Sequence, residues 1–488
     1  MTPHAIYDYP RTPSARSSSV GSAASSTTRT RTIDHSPYLQ TVPSDELHDL
    51  VCVGFGPASL AVAVALHDSF SNSSGGAPAS ALPKVSFLER QPQFAWHAGM
   101  QIPGAKMQIS FLKDLATLRD PRSEFTFINY LHRNKRLTAF SNVGTFLPRR
   151  LEYEDYMRWC ASAFESVVSY SQEVLSVDPE PSSSGKPART FAVTSRDTNT
   201  GATTTLGTKH VLIAVGGRPK IPASLPQKSP RVIHSSQYQR FLATTSLDRA
   251  SPLRIAVIGG GQSAAEIFSD IPNSFPASTS RLLIKASALR PSDDSPFVNE
   301  IFDPERVDGI YATPAQQRTA QIMQDKATNY GVVRIELLEH IYEELYTQRI
   351  TVGNEEAEWP RRILPNRLVE GAEEGDGTVR LRVKGADEKG KPVGEAEEME
   401  VDLVFVASGY ERDMHEWILK GCRGLLEKEE ARFEVQRDYS VRFAGGKVAD
   451  DAGVWLQGCN EKTHGLSDTL LSILAVRGGE IVGSIFGR

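Results

Sequence analysis

Two glycine-rich turns constrain this chain more than any other feature: Gly54-Phe55-Gly56-Pro57-Ala58-Ser59 and Gly259-Gly260-Gly261-Gln262-Ser263-Ala264. Each follows a short apolar run and opens a helical pattern. A strand that ends in such a turn leaves unpaired backbone N–H groups at a helix start, where they suit a pyrophosphate. In the first turn Gly54 permits the tight reversal, Gly56 lets the backbone approach the phosphates, and Ser59 is small enough for close helix–strand packing. The run Leu50–Val53 precedes it, a helical pattern continues through Leu60–Leu66, and a second strand, Val85–Leu88, ends on Glu89. An acid at that point accepts bonds from ribose hydroxyls. Glu89 lies further on than the usual ~20 residues, and the low-complexity stretch Ser71–Ala81 accounts for the excess.

The second turn follows the buried-strand run Arg254–Ile258 and leads into a helix near Ser263–Ile271. Gly259, Gly261 and Ala264 fill its three motif positions. The next strand, Leu282–Ile284, ends at Lys285 rather than at an acid. A carboxylate there repels a 2′-phosphate and a lysine attracts it, so this site is expected to prefer NADP over NAD. The alternation of strand and helix predicts an α/β protein with parallel sheets covered on both faces. Two dinucleotide-binding, Rossmann-like folds in one chain, the second inserted in the first, imply a flavin reduced by a pyridine nucleotide. The runs Ala214–Pro219 and Ala407–Tyr410 fit the strands where the chain crosses between them. The expected division is a disordered tail over 1–46, an FAD-binding domain over 47–222 and 402–488, and an NADP-binding domain over 223–292 and 313–401. Pro179–Ala188 and the charged, glycine-rich Glu370–Glu400 read as loops.

Composition narrows the function. Among 488 residues, 54 Lys and Arg against 59 Asp and Glu give a net charge of -5, which offers no basic face to a nucleic acid. No run of about 18 apolar residues is present, so no membrane-spanning helix is expected. The cysteines Cys52, Cys160, Cys422 and Cys459 form no C-x-x-C pair, which leaves a disulfide framework, a cysteine-rich zinc site and a dithiol redox centre without support. A cytoplasmic protein with no metal site is the expectation. The Ser-, Thr- and Arg-rich stretch Pro13–Thr32 reads as disordered; a transit peptide is the alternative, against which Asp8 and Asp34 weigh.

Three further segments carry a family resemblance: Met107–Leu115 with Arg119-Asp120-Pro121, Arg290–Glu300, and Thr463–Asp468. They look like the N-hydroxylating flavin monooxygenases, and the likeness runs from about Asp49 to Phe486. The resemblance implies that NADPH reduces FAD, that O2 forms a hydroperoxide on the reduced flavin, and that the side-chain amine of L-ornithine takes its distal oxygen, the first step of hydroxamate siderophore biosynthesis. It also implies a homotetramer and a small, mainly helical substrate-binding segment over 293–312. By the same resemblance FAD is held by Glu89, Arg90, Gln91, Pro92, Gln93, Phe94, Ala95, Trp96 and His97, by Gln108, by the backbone of Val174, and by Thr469, Leu470, Leu471 and Ser472. NADP matches Gly260, Gly261, Gln262, Ser263, Lys285, Asn329, Tyr330 and Gly331. Substrate contacts match Lys113, Asn299, Glu300, Ile301, Phe302 and Ser472. Two positions depart from the pattern: relatives commonly carry arginine where Lys285 stands, and Ser408 replaces the threonine of an A-T-G-Y motif.

The residue types suit these roles. An amino acid needs a cation for its carboxylate and amide or carbonyl acceptors for its ammonium, and Lys113 and Asn299 supply both. The reactive amine, with a pKa near 10.4 like that of lysine, needs roughly 4 to 5 kcal/mol to become neutral at pH 7. A dry pocket lowers that cost by disfavouring the ammonium, so no general base is named; His97 and His464 read as structural or flavin contacts. A disulfide reductase lacks its dithiol here. Baeyer–Villiger and generalist flavin monooxygenases carry F-x-G-x-x-x-H, where this chain reads Arg231–Ser236 without that pattern. A lysine N-hydroxylase, one methylene away in substrate, and a non-catalytic flavin-binding sensor are the rival readings.

Overall fold

The computed structural model of the chain describes residues 33–72, 82–180 and 186–487. Residues 1–32 of the expected tail, 73–81 of the Ser71–Ala81 stretch and 181–185 of the Pro179–Ala188 stretch lie outside the described residues.

The first sheet is built from β1 (His48–Val53), β2 (Val85–Leu88), β3 (Val168–Ser169), β4 (Gln172–Pro179), β5 (Phe191–Asp197) and β6 (Thr203–Ile213) in the order β3-β2-β1-β6-β5-β4. From β3 to β6 the strands run parallel, and β5 and β4 extend the sheet antiparallel. Leu50–Val53 is buried throughout, as a strand covered on both faces must be, and therefore shows no alternation in its sequence. The helix Pro57–Asn72 packs against the helix Leu474–Phe486, and both share one core with this sheet. Its residues Leu60–Leu66 are buried on all sides, which is why the pattern is apolar all round rather than striped.

The chain leaves through β7 (Arg218–Pro219) and builds a second sheet with β8 (Val232–His234), β9 (Arg254–Ile258), β10 (Thr279–Leu283) and β11 (Arg361–Leu364). Between β10 and β11 lie the short helices Pro296–Asn299 and Val307–Ala312 and the longer Ala315–Lys326 and Ile335–Thr351. Next come β12 (Arg367–Gly375), β13 (Thr378–Ala386) and β14 (Pro392–Val401), a three-stranded antiparallel sheet. This corrects the expectation of a loop over Glu370–Glu400. Val379, Leu381 and Val383 alternate inward against outward Arg380 and Arg382, a period-two signal hidden by the high charge of the stretch.

A second correction concerns Leu403–Val406, β15, expected in the FAD-binding unit. It runs parallel between β9 and β8, completing the order β11-β10-β9-β15-β8, and all four side chains are buried there. Only beyond Ala407 does the chain cross back, where β16 (Tyr410–Glu411) pairs antiparallel with β7, with Tyr410 opposite Pro219 and Glu411 opposite Arg218. The strand β17 (Gly453–Leu456) then joins the first sheet parallel to β6.

The range expected to be tail also reaches too far along the chain. Residues 33–40 pack onto the fold: Leu39 is in the first core, Ser36 N–H donates to Ala163 O at 2.8 Å, and Gln40 bridges Lys84 beside β2.

Candidate active site

The parallel strands of each sheet end side by side, and backbone hydrogen bonds fix the alignment. In the first sheet Gly54 N–H donates to Leu88 O (2.8 Å), Ala214 N–H to Val53 O (2.9 Å) and Gln457 N–H to Ile213 O (2.9 Å). Gly54, Glu89, Ala214 and Gln457 therefore form one row at the carboxyl ends, where open α/β sheets bind ligands. The second sheet repeats the device: Gly259 N–H donates to Leu283 O and Ala407 N–H to Ile258 O. Gly54 and Gly259 have φ of +92° and +139°, and a Cβ on either would meet the carbonyl oxygen of Ala214 or Ala407 at 2.7 or 2.6 Å. Glycine is thus required at both turns, for conformation and for space.

These residues fit an FAD and an NADP. A Cβ on Gly56 would meet nothing within 4 Å, so the turn faces open space where a pyrophosphate can approach. Ser59 Oγ is buried with no hydrogen-bond partner. Glu89 sits at the end of β2, its two carboxylate oxygens oriented by the N–H groups of Phe55 (2.7 Å) and Gln91 (2.8 Å), each with a lone pair left for a ribose hydroxyl. Of the segment that follows, Arg90, Gln91, Pro92 and Gln93 are exposed, Ala95 and Trp96 are half-buried, and Phe94 is in the core against Phe55. Gln108 is exposed, and Val174, half-buried on β4, pairs with Ser195 just before a register shift.

His97 adopts a left-handed conformation, φ 46°, is exposed, and meets the rings of Trp96 and Tyr410 edge-on. Desolvation by its walls, with the charges of Arg150 and Arg412, pushes its pKa down to about 4. The imidazole is therefore neutral at pH 7, and the strained backbone marks a built site.

The nucleotide turn of the second sheet touches the helical segment. A Cβ on Gly261 would lie 3.4 Å from Gly331 Cα, and Gln262 Oε1 accepts from Arg334 N–H at 2.9 Å. Ser263 opens the helix Gln262–Ser274, and Asn329 is half-buried beside it. Tyr330 OH meets Thr469 Oγ1 at 3.0 Å, joining the segment matched to NADP with the segment matched to FAD. Lys285 is exposed one residue beyond Ile284, near Gly390 of the β13–β14 turn.

The two sheets are clasped by a pair that sequence reading missed. Arg150, on the helix Arg150–Ser162, forms a two-pronged bond to Glu266 on the helix Gln262–Ser274, at 2.8 and 3.0 Å, with side chains only 12% and 6% exposed. Arg150 also donates to Met100 O, and Gln262 Nε2 to the same Glu266 carboxylate at 2.9 Å.

The residues matched to substrate gather in part. Asp114, buried, accepts from the N–H groups of Ala116, Thr117 and Phe127 and from the Thr117 hydroxyl, and burial still raises its pKa. With Tyr153 OH on Lys113 O, this network fixes the loop that carries Lys113. Lys113 Nζ lies 3.3 Å from Asp303, and Ser472 Oγ, buried, donates to Phe302 O at 3.2 Å, so three of the matched residues meet in one cluster. Ser472 is carried by the chain that follows Asp468, which is locked by a buried ion pair to Arg477 and by the N–H of Asn460. Leu470 and Leu471 connect the two. Ile301 is half-buried. Asn299 stands apart: it is exposed, its Nδ2 donating to Asp294 O. The Glu300 carboxylate is taken by Arg306.

Gln457 was also missed. It is 3% exposed, ends β17 in the same row as Gly54, and keeps both amide atoms without a hydrogen-bond partner. The signal, a short buried strand ending in Gln-Gly, is present in the sequence. A cleft of about 820 Å³ lined by Asp49, His210 and Trp455 lies at the opposite, amino ends of the first sheet and takes no part in this arrangement.

Residues 46–412 match the L-lysine 6-monooxygenase/L-ornithine 5-monooxygenase family. The chain belongs to this family. An L-ornithine N(5)-monooxygenase of Cochliobolus heterostrophus is 56% identical over 475 residues, covering 93% of this chain and 90% of the relative. An ornithine hydroxylase from Pseudomonas aeruginosa superimposes with a TM-score of 0.80 at 36% identity, over 91% of this chain and 99% of the other. An ornithine N-hydroxylase from Kutzneria sp. 744, in a structure with reduced FAD, NADP+ and L-ornithine, gives 0.79 at 34% identity, over 90% and 99%. The family membership accounts for the two cradles, one unit inserted in the other, and FAD and NADP are its cofactors.

Proposed function

We propose that this protein uses FAD, NADPH and O2 to hydroxylate the side-chain amine of L-ornithine, the entry step of hydroxamate siderophore assembly. The observation that carries the reading is the cluster of Lys113, Asp303, Phe302 and Ser472, held on the same Asp468–Ser472 stretch whose Thr469 bonds Tyr330. A cationic anchor on a rigid loop thus stands next to segments matched to both cofactors. The ornithine-acting relatives, at 56% identity among them, support this substrate.

When bound, reduced FAD supplies two electrons and activates O2 so that one oxygen atom reaches the amine and the other leaves as water. The chain's own residues do the rest. The Gly54–Ser59 turn and Glu89 hold the FAD nucleotide; the Gly260–Ser263 turn, Lys285 and Asn329–Gly331 hold NADP; Lys113, with Asn299 and the Glu300–Phe302 turn, holds the amino acid. A substrate amine must lose its proton before it can attack, and a dry pocket that disfavours the ammonium assists that loss. The assembly is proposed to act as a cytoplasmic homotetramer; four unpaired cysteines, three of them buried, suit a reducing compartment.

The test is to supply purified protein with FAD, NADPH, O2 and either L-ornithine or L-lysine, measuring hydroxylated amine and NADPH consumed. Coupled hydroxylation of ornithine is expected. Coupled hydroxylation of lysine alone would transfer the assignment to lysine, and product from neither would refute it.

A further inference from the structure

We propose that Asp303 receives the α-ammonium group of the substrate, so that Lys113 and Asp303 together read the zwitterionic head of an α-amino acid. The proposal rests on the reading that L-ornithine binds at Lys113. Lys113 Nζ and Asp303 Oδ1 stand 3.3 Å apart, with side chains 22% and 37% exposed, although 190 residues separate them. Both are open enough to meet a ligand and close enough to act as one dipole.

Three other acids of this segment are already paired with arginines. Glu300 pairs with Arg306, Asp294 with Arg334 and Asp308 with Arg437. Asp303 precedes the turn Pro304–Arg306, yet its side chain makes no capping bond; its carboxylate faces Lys113 instead. An α-amino acid carries its carboxylate and ammonium on a single carbon. The Lys113–Asp303 pair presents the same two charges in reverse, so docking gives each protein charge a second opposite neighbour without breaking the first.

Asp303 cannot serve the reactive amine. A carboxylate beside that nitrogen would stabilise its ammonium form and remove the lone pair that attacks. The acid therefore belongs at the head of the substrate, with the reactive end pointing away. A ligand that lacks the α-amine would cover the Asp303 carboxylate without satisfying it, the kind of mismatch by which sites reject analogues strongly.

The test titrates FAD- and NADP+-loaded protein calorimetrically with L-ornithine and with 5-aminopentanoate, which keeps the carboxylate and terminal amine but has no α-amine. Wild type is expected to favour ornithine. Asp303→Asn should weaken ornithine roughly ten- to hundredfold, the range for a hydrogen bond to a charged group, while 5-aminopentanoate changes by less than about threefold. Asp303→Glu should restore part of the preference. Lys113→Ala should weaken both ligands, since both carry the carboxylate. Equal weakening of both ligands by Asp303→Asn would reduce Asp303 to a support for Lys113. Tighter binding of both would make it a placeholder that ligand displaces. Either result overturns the proposal while leaving ornithine as substrate; a wild type that binds and hydroxylates no ornithine removes the underlying reading itself.

Discussion

Replacing Arg150 by methionine keeps most of the side-chain volume and removes the charge that neutralises Glu266. The carboxylate is left 6% exposed with Gln262 as its remaining side-chain partner, and Met100 O loses its donor. Breaking a buried pair from one side costs about 3–5 kcal/mol, mostly because the survivor stays charged and unpaired. For a cooperative unit of 150–250 residues each kcal/mol moves the midpoint by about 2–4 °C, so Arg150→Met should lower it by roughly 6–20 °C. Unfolding of two linked units is not two-state, so the comparison is between midpoints followed by release of FAD fluorescence. The double variant Arg150→Met with Glu266→Met removes both charges and should recover more than half of the loss, because the desolvation penalty disappears with the carboxylate. Glu266 also holds Gln262 of the nucleotide turn, so the double variant, which removes that hold, should weaken NADP+ binding more than the single. Additive effects of the two substitutions, or a single variant as stable as wild type, would show that the pair is not the clasp between the sheets.

Three other outcomes follow from the site and its surroundings. Lys285→Ala should raise KM for NADPH by roughly five- to thirtyfold through loss of about 1–2 kcal/mol of phosphate contact and leave NADH almost unchanged; equal damage to both would make the lysine structural. With the amino-acid head fixed, one extra methylene carries the lysine amine about 1 Å beyond the reacting position, a displacement worth about a hundredfold in rate, so lysine should stimulate NADPH oxidation but release mostly hydrogen peroxide. Efficient, coupled lysine hydroxylation would sink that argument. Burial against Trp455 pushes the His210 pKa down to about 4, so the folded protein resists a proton that the unfolded chain takes near 6.5. That contribution is complete above pH 6.5 and is lost as pH falls towards 4, up to about 3 kcal/mol at 1.36 per unit. His210→Phe should flatten the stability profile in that window, and an unchanged acid limb would refute the assignment.

Local signals read well wherever the fold is made of local rules. Val85–Leu88 and Arg254–Ile258 are strands with the bounds their apolar runs suggest, and both glycine turns sit where strand meets helix. Elements whose signal depends on distant partners read poorly. The β13 alternation is carried by valines and a leucine set among arginines, and only burial of one face beneath the second sheet makes it visible. Leu403–Val406 reads as a buried strand in either unit, and its place is decided by pairing with β9, well over a hundred residues away. In the site, Lys113 and Ser472 have recognisable types and surroundings. Asp303 and Glu266 have neither, and Gln457 has only the short apolar strand ahead of it, because what distinguishes each is a contact or a missing contact across the fold. Leu39 illustrates the same limit at the amino end, where one buried side chain among polar neighbours anchors a stretch that composition alone gives to a tail.

The insertion of one nucleotide-binding unit inside another also sets the order in which the protein can be finished during synthesis. When β6 leaves the ribosome, the first sheet still lacks β17, and the helix Pro57–Asn72 lacks its cover, Leu474–Phe486. Both arrive only after the whole second unit has been made, a wait on the order of ten to fifty seconds at ~5–20 residues per second. During that interval Leu60–Leu66 presents an uncovered apolar side and the carboxyl half of β6 an unpaired edge, a template for joining another chain. The second unit contains all five strands of its own sheet between β7 and β16 and can close while the first stands open. The chain's entry and exit then meet on one short ladder, Arg218–Pro219 against Tyr410–Glu411, so the completed insert hands the growing chain back within a strand's width of where it left. The nascent half-built sheet, rather than the finished enzyme, is therefore the species most dependent on chaperones.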